Sequence, residues 1–481
     1  MNRRRLLAPF LFAWFVFFSW DGLRAHFSPD DMMNIDSFYW TPGPWRLLVS
    51  QFLLWRGYYR PMGGLFYLPI LSGWGLNPLP YHVALSVVLL VNVWLAYRLA
   101  RLLGADWPAA ALAALVACYH AGLGNLYYNT AFVYDALCGC FYFGALLYYV
   151  RIRAGGRFPG ARQTLVFAAL LVCALNSKEM ALTLPAALLA YEWCYQRPLG
   201  RGAARVVGLA GILVLLDLFG KIWGVDALTG MEGYRPVFSL QRVHDFQRIF
   251  LRDAAFLHAG WGGILAFWAV LTYLAWRPGA RTVLRFCWLF LLLAPLPIEF
   301  LPGKSQACLY IPMIGGAIFA AVVLVDVGRA TAGFLSREPL FRRLGRNWWG
   351  GPPGPRPAPP PACLSPALLA ILLLAAVFYW GRVNLNRKLV DAKPVMAALG
   401  RQTAEVIEQF RELNPHVSPG SHVVFLDDPF QEWDMLFIAD LWFRDRSITV
   451  HLQKKTPLTP AQLAKIPFWF DYRNGRLMRP K

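Results

Sequence analysis

Charged residues are scarce in this chain. Asp, Glu, Lys and Arg make up 15% of its 481 residues, where soluble domains average about 25%. That shortage argues against a water-soluble enzyme. Cysteine is sparse too, and nearly all of the eight residues lie in or beside apolar runs. Cys138 and Cys140 would stand about 200° apart on a helix, which is unsuited to a shared metal. The hydrophilic tail after residue 381 has no cysteine, so neither a disulfide framework nor a zinc site is indicated. The patterns G-x-x-x-x-G-K-[ST], G-x-G-x-x-G after a strand, and H-E-x-x-H are missing, and with them nucleotide binding through a standard loop. No cofactor and no metal ligand set is expected. A group transferred by this protein would have to arrive already activated, and from the lipid.

What is abundant is apolar. The chain is 57% hydrophobic and carries 20 Trp, 20 Tyr and 34 Phe. Apolar runs recur along the whole length and predict about eleven membrane crossings. In order they are Leu6–Trp20, Tyr81–Leu103, Pro108–Tyr119, Ala131–Val150, Leu165–Leu175, Ala181–Trp193, Val206–Trp223, Trp261–Trp276, Phe286–Ile298, Leu309–Val327 and Leu364–Trp380. A long polar-aromatic loop follows the first run, and a second loop precedes Trp261. The N-terminal MNRRR and the run after it lack a small-x-small cleavage site and read as a retained anchor.

The net charge of +20, from 47 basic and 27 acidic residues, invites a nucleic-acid reading. Position argues otherwise. The arginines cluster in short connections such as YRLARLLG, RIRAGGRFPGAR, QRPLGRGAAR, WRPGARTVLR and the Arg- and Pro-rich stretch after Val327, and such clusters stay on the cytoplasmic side. With the N-terminus inside, every Arg-rich connection falls inside. The segment His26-Phe-Ser-Pro-Asp30-Asp31-Met-Met-Asn34, the turn Asn176-Ser-Lys-Glu179, the loop at Gly303-Lys304 and the tail all fall outside. No nucleic-acid partner is expected.

The tail, residues 382–481, reads as a small soluble domain. A helix-period stretch (394–413) precedes VVFLDD, a buried strand, then EWDMLFIADLWF, an amphipathic helix, and SITVHLQ, a second strand. FWFDYRNGRL would add a strand around its Asn-Gly turn. Asp427 and Asp428 close a strand and read better as a loop or helix cap than as a ligand site. The expected fold is therefore an all-α polytopic membrane domain, residues 1–381, with a periplasmic α/β domain, residues 382–481.

A charge inside a membrane segment costs about 2.5–3.5 kcal/mol, so each is a functional suspect. Asp30 and Asp31, Asp135 and the Lys178-Glu179 pair share the outer side. Asp217 and Lys221 are spaced as a local i,i+4 ion pair. Glu192 and Asp326 lie at inner ends beside arginines and look structural. Carboxylates and a lysine converging on one face suit acid–base chemistry, in which a carboxylate takes the proton of an acceptor hydroxyl and a cation steadies a phosphate leaving group.

The Asp-Asp pair of the first outer loop is followed by YYRPMGGLFYLPI, GLNPLPYHVALSVVLLVNVWLAYRLARLLG, YHAGLGNLYYNTAFVYDALCGCFYF, LNSKEMALTLPAALLAYEW and LYIPMIGGAIFAAVVL. Together, over residues 1 to 325, these resemble the GT-C glycosyltransferase superfamily, and within it protein O-mannosyltransferases and related bacterial transferases. The resemblance implies a polyprenyl-phosphate-linked sugar as donor, transfer to an acceptor glycan, lipid or protein hydroxyl on the outer side of a bacterial inner membrane, and inversion at the anomeric carbon. It implies Asp30 or Asp31 as general base, and Arg60 of Tyr59-Arg60-Pro61 and Lys178 at the donor phosphate. Tyr59, His120, Asp135 and Glu179 would contact sugar or acceptor. Relatives often carry Glu-Arg before the Tyr-Leu-Pro of the tenth crossing. This chain has Ser305-Gln306-Ala307-Cys308-Leu309-Tyr310-Ile311-Pro312 there, and Lys304 is the candidate to reach into that space as a donor-phosphate ligand. The competing readings are a lipid flippase or transporter, which would call for internal repeats that the sequence lacks, and a non-catalytic GT-C-like assembly protein.

Overall fold

The computed structural model describes residues 6–40, 43–196, 200–230, 232–302, 304, 306–335 and 364–479. All eleven apolar runs form helices over most of their length: α1 (Leu7–Ser19), α5 (Pro78–Leu102), α6 (Trp107–Cys118), α8 (Val133–Ala154), α9 (Ala161–Leu175), α10 (Leu184–Tyr195), α11 (Arg201–Trp223), α13 (Trp261–Trp276), α14 (Thr282–Leu293), α16 (Tyr310–Leu335) and α17 (Leu364–Arg387). Among the described residues, six helical stretches are long and apolar enough to cross a bilayer. The chain is a multi-pass membrane protein. Most of the Arg- and Pro-rich connection, residues 336–363, and residues 197–199 of QRPLGRGAAR lie outside the described residues.

The first outer stretch is not the loop expected of it. It folds into α2 (Pro29–Tyr39), α3 (Gly43–Ser50) and α4 (Met62–Trp74), which bury Met32, Ile35, Phe38, Leu47 and Tyr67 and pack closely at Gly63 and Gly64. A methyl group at Gly63 would overlap the Tyr134 ring, and one at Gly64 would meet the Leu47 methyls. The second loop likewise contains a helix, α12 (Leu240–Ala255), with Phe246, Phe250 and Leu251 buried. Short helices α7 (Asn125–Tyr128) and α15 (Leu296–Glu299) complete the membrane part.

The Arg-rich ends of the helices are joined by ion pairs. Arg153 forks onto Glu192, Nε to Oε1 at 2.8 Å and Nη2 to Oε2 at 3.0 Å. Arg281 reaches Asp106 at 3.1 Å and Asp326 at 3.2 Å, and Arg329 joins the same cluster. These pairs fasten the Arg-rich ends of α6, α8, α10, α14 and α16 to one another, which is the structural role expected for Glu192 and Asp326. Asp217 and Lys221 form their i,i+4 pair at 3.4 Å.

In the tail, α17 does not stop at residue 381. It runs through a π-helical turn, Lys388–Ala392, into α18 (Lys393–Leu413). Lys388 and Lys393 clamp Asp21, just after α1, at 2.9 and 3.2 Å. Beyond it stand β1 (His422–Phe425), α19 (Asp434–Phe443), β2 (Thr449–Leu452), β3 (Phe468–Arg473) and β4 (Arg476–Met478). The sheet order is β2-β1-β3-β4. β1 pairs in parallel with β2 and β3, and β3 and β4 form an antiparallel hairpin around Asn474 and Gly475, both at positive φ. The β-α-β unit and the hairpin match the sequence reading. Asp427 and Asp428 serve their own turn: Asp428 N–H donates to Asp427 Oδ1 at 2.8 Å, and Phe430 N–H to Asp428 Oδ1 at 2.9 Å.

The tail sits on α2 through α19. Asp36 accepts from the Trp40 indole at 3.1 Å, and Asp440 of α19 uses the same indole. Burial, and for Asp36 the neighbouring Asp440 charge, push these carboxyls up to about 7 and about 6. Both lie above the 3.8 of a free aspartate, so the docked state binds more protons and is favoured as pH falls from 8 toward 5. Asp440→Asn should therefore raise the unfolding temperature at pH 8 and flatten its pH dependence; thermal unfolding in nanodiscs at pH 5 to 8 checks both.

Candidate active site

Two sequence motifs meet at one end of the bundle. The turn bearing Tyr59-Arg60-Pro61 docks on Asn176-Ser177-Lys178-Glu179: Met62 N–H donates to Asn176 O at 3.3 Å, and Asn176 Nδ2 to Gln51 O at 2.6 Å. On the other side the turn lies against α11, where Gly57 at φ +65° leaves no room for a side chain against the Gly220 carbonyl. This placement forces Arg60 into the left-handed region, φ +41°.

Arg60 is buried and nearly saturated. Its Nε and Nη2 fork onto Glu179 at 3.2 and 3.0 Å, Nη1 donates to Tyr59 Oη at 3.0 Å, and Nη2 donates to Tyr234 Oη at 2.6 Å. Of five guanidinium donors, one on Nη1 is left. Lys178 Nζ donates to Asp135 Oδ2 at 2.6 Å, leaving two. Burial works against both ions of each pair. The Arg60 charge nonetheless brings Glu179 down to about 2, and the Asp135 charge holds Lys178 above the ordinary lysine value.

Arg60, Lys178 and Glu179 line a cavity of 410 Å³ together with Asp30, Tyr59, Tyr134, Tyr234 and Lys304. Lys304 lies with Nζ 3.7 Å from the centre of the Tyr234 ring. No carboxylate among the described residues is within ion-pair distance of it, and burial lowers its pKa. The Asp30 carboxylate has no hydrogen-bond or ion-pair partner among the described residues either. It is reachable by solvent yet ringed by protein, and that burial raises its pKa. The Asp30 backbone is held by Asn34, whose Nδ2 donates to the Asp30 carbonyl at 2.7 Å while its Oδ1 accepts from Tyr134 Oη at 2.9 Å.

Three of the sequence candidates stand elsewhere. Asp31 is fully buried behind the cavity: Oδ2 accepts from Ser28 N and Oγ at 2.7 and 2.8 Å, and Oδ1 from Thr130 Oγ1 at 2.5 Å. Ser28 and Asp31 form a capping box at the start of α2, so Asp31 builds the helix that presents Asp30. Asp135 sits behind Lys178 rather than on the cavity wall. His120 lies against the Ala254 carbonyl at 3.1 Å and stacks on Phe256 with ring centres 4.8 Å apart, away from the cavity. Sequence reasoning missed Tyr134, Tyr234, Asn34 and Thr130. Thr130 and Tyr134 lie within YHAGLGNLYYNTAFVYDALCGCFYF and Asn34 closes the segment that begins at His26, whereas Tyr234 stands in an irregular segment with no periodicity to mark it.

Among the described residues, six non-glycine residues have positive φ. Phe256, Asn414 and Arg444 close helices, and Asn474 is in the hairpin. The remaining two, Arg60 (+41°) and Gln306 (+49°), both line this cavity, which is where backbone strain of about 1–3 kcal/mol tends to be retained for function.

Fold and cavity thus define a polytopic membrane protein with a polar chamber at one end of its bundle. The fold is similar to that of a solved membrane-protein structure. ArnT from Cupriavidus metallidurans bound to undecaprenyl phosphate superposes with a TM-score of 0.50 at 14% identity, covering 98% of this chain and 91% of that one. Archaeal oligosaccharyltransferase AglB from Archaeoglobus fulgidus, in complex with an inhibitory peptide and a dolichol-phosphate, aligns at TM-score 0.48 and 12% identity over 94% of this chain and 65% of its own. No family model matches the sequence, and no curated protein matches it.

The two aspartates should separate by measurement. Asp31→Ala leaves the Thr130 hydroxyl and the Ser28 N–H buried without acceptors and should cost about 1–3 kcal/mol. Asp30→Ala should shift stability by less than about 0.5 kcal/mol. Denaturant or thermal unfolding in nanodiscs tests this, and equal losses would remove the distinction.

Proposed function

We propose that the protein is a bacterial inner-membrane glycosyltransferase. It moves a sugar from a polyprenyl-phosphate donor to an acceptor hydroxyl on the periplasmic side, with residues 382–481 as a periplasmic domain and the N-terminus in the cytoplasm. The observation that carries this reading is the pairing pattern in the cavity. Arg60 and Lys178 are each neutralised by a carboxylate behind them, while Asp30 and Lys304 face the same space with no such partner.

Asp30 acts as the base. As the acceptor oxygen forms its bond to the anomeric carbon, Asp30 takes the hydroxyl proton, and the bond from that carbon to the phosphate oxygen breaks. Polyprenyl phosphate leaves with the electron pair, and attack opposite the leaving group inverts the carbon. Lys304 supplies the uncompensated positive charge for the phosphate. The remaining N–H donors of Lys178 and Arg60 are fixed beforehand by Asp135 and Glu179, so little reorganisation accompanies charge development. The ArnT structure, with its bound undecaprenyl phosphate, supports a lipid of this kind as donor. An apolar cavity of 420 Å³, walled in part by Met313, Gly316 and Ala320 of α16, can take a prenyl chain. It lies along the same helix whose approach, at Gln306 and Cys308, lines the polar chamber.

Membranes given radiolabelled undecaprenyl-phosphate-linked hexoses and pentoses should show transfer by the wild type. Asp30→Asn should lower the rate about 10²–10⁴-fold, the range of a general base. Lys304→Ala should lower it about 10²–10³-fold. Unchanged transfer in both variants would overturn the assignment.

The pH profile offers an independent check. A base must be unprotonated, and burial raises the Asp30 pKa above that of a free aspartate. The rate should therefore rise with pH along an acid limb displaced upward from that value. An acid limb at or below the ordinary aspartate range would count against Asp30.

A further inference from the structure

A second polar cavity, of 340 Å³, adjoins the first, and Asn125 and Gln306 line both. Its other walls come from the turn at Gly122–Gly124, the Arg252-Asp253 pair, Phe256 at the end of α12, and Arg387 and Asp391 at the π-helical turn. We propose that this cavity holds the acceptor, and that the acceptor there is an uncharged carbohydrate. The inference rests on the transferase reading and extends it to the second substrate.

The cavity has the marks of a built site. Gln306, strained at φ +49°, is pinned by its backbone N–H to Asp253 Oδ2 at 3.3 Å, so one carboxylate fixes the partition between the two chambers. The turn at Gly122 packs so tightly on α12 that a methyl group there would overlap the Asp253 carbonyl. It is tied to α17 by Ala121 N–H donating to Asn384 Oδ1 at 2.8 Å. A π-helical turn placed in a wall is itself a feature that recurs at functional sites. Asn125 Oδ1 is buried with no hydrogen-bond partner among the described residues, an acceptor that a ligand hydroxyl would satisfy. At 340 Å³ the space lies at the lower end of small-molecule sites, about 300–1,000 Å³.

Charge selects the class of ligand. Arg252 is paired with Asp253 at 2.7 Å and Arg387 with Asp391 at 3.1 Å, so both cations on this wall are already compensated. An anionic acceptor would find no counterpart to the Lys304 of the first chamber. Hydroxyl groups, which donate to carboxylates and amides and accept from guanidinium N–H, suit every polar group present. Phe256 supplies an apolar face, its ring fixed by His120 at 4.8 Å and Trp380 at 5.9 Å between ring centres. This gives His120 a positioning role, one layer behind the acceptor instead of touching it. A sugar hydroxyl entering past Asn125 and Gln306 would reach the chamber that contains Asp30.

Two variants test the assignment in the full chain. Val395→Trp fills the cavity from an exposed position that lines it, and Asp391→Asn releases Arg387 from its partner. Undecaprenyl phosphate retained by the purified protein, weighed by native mass spectrometry, reads the donor side. Transfer from the labelled donor to endogenous acceptor in membranes reads the whole reaction. Val395→Trp should keep lipid retention within about twofold of wild type and lower transfer at least about tenfold, and Asp391→Asn should lower transfer too. Unchanged transfer with Val395→Trp, or loss of lipid retention along with transfer, overturns the acceptor assignment. Equal or higher transfer with Asp391→Asn overturns the uncharged class. A wild type that neither retains the lipid nor transfers sugar overturns the transferase reading itself, an outcome distinct from those.

Discussion

The site depends on two buried ion pairs, Arg60–Glu179 and Lys178–Asp135. Removing one partner from such a pair leaves an uncompensated buried charge, a penalty of about 3–5 kcal/mol. The four residues therefore hold each other in place across three segments of chain: the turn before α4, the turn after α9 and the first turns of α8. Two of the tyrosines facing the chamber are hung on that frame. Tyr59 and Tyr234 accept from Arg60, and Tyr234 in turn carries Lys304 over its ring. Charge is left without an ion-pair partner among the described residues at Asp30 and Lys304, which line the same chamber.

This arrangement changes what the paired cations contribute. In the sequence reading Arg60 and Lys178 were the principal phosphate ligands, and Asp135 and Glu179 touched sugar. In the structure the acids lie against the cations, so the net charge of each pair is close to zero and its worth lies in oriented N–H donors. Lys304, nominated as a substitute for a missing arginine, becomes the source of net positive field. Lys304 lines the same chamber as Gln306, the residue at the departure, and Gln306 lies between the two cavities.

Much of the architecture was legible because the membrane imposes a simple code. Apolar length and the Asn-Gly turn gave the helices and the hairpin. The helices α2 to α4 were not legible, since they lie outside the apolar runs and their packing against Tyr134 and Leu47 is tertiary. Within the site, Asp30 and Asp31 stand about 100° apart on a helix, so one residue could face the chamber only if the other turned away. The pattern Ser28-Pro-Asp-Asp31 carried the answer: an acid three residues after a serine is the signature of a capping box, and such an acid is spent on the backbone. His120 carried no comparable signal, because what fixes it is an α12 carbonyl and two aromatic rings distant in sequence.

The tail gains its meaning from how it is attached. A flexible linker would leave the sheet free of the chamber. Instead α17 and α18 form one rod through the π-helical turn, and Lys388 and Lys393 bind that rod to Asp21 near the start of the first outer stretch. α19 lies on α2, the helix that carries Asp30, with Asp36 and Asp440 sharing the Trp40 indole at the contact. Arg446 reaches the Tyr39 carbonyl from the same side. The rod therefore borders the second cavity at Arg387 and Asp391, while the sheet's helix braces the element presenting the candidate base. A displacement of the tail large enough to open either contact would move both chambers, so the tail is a structural part of the site.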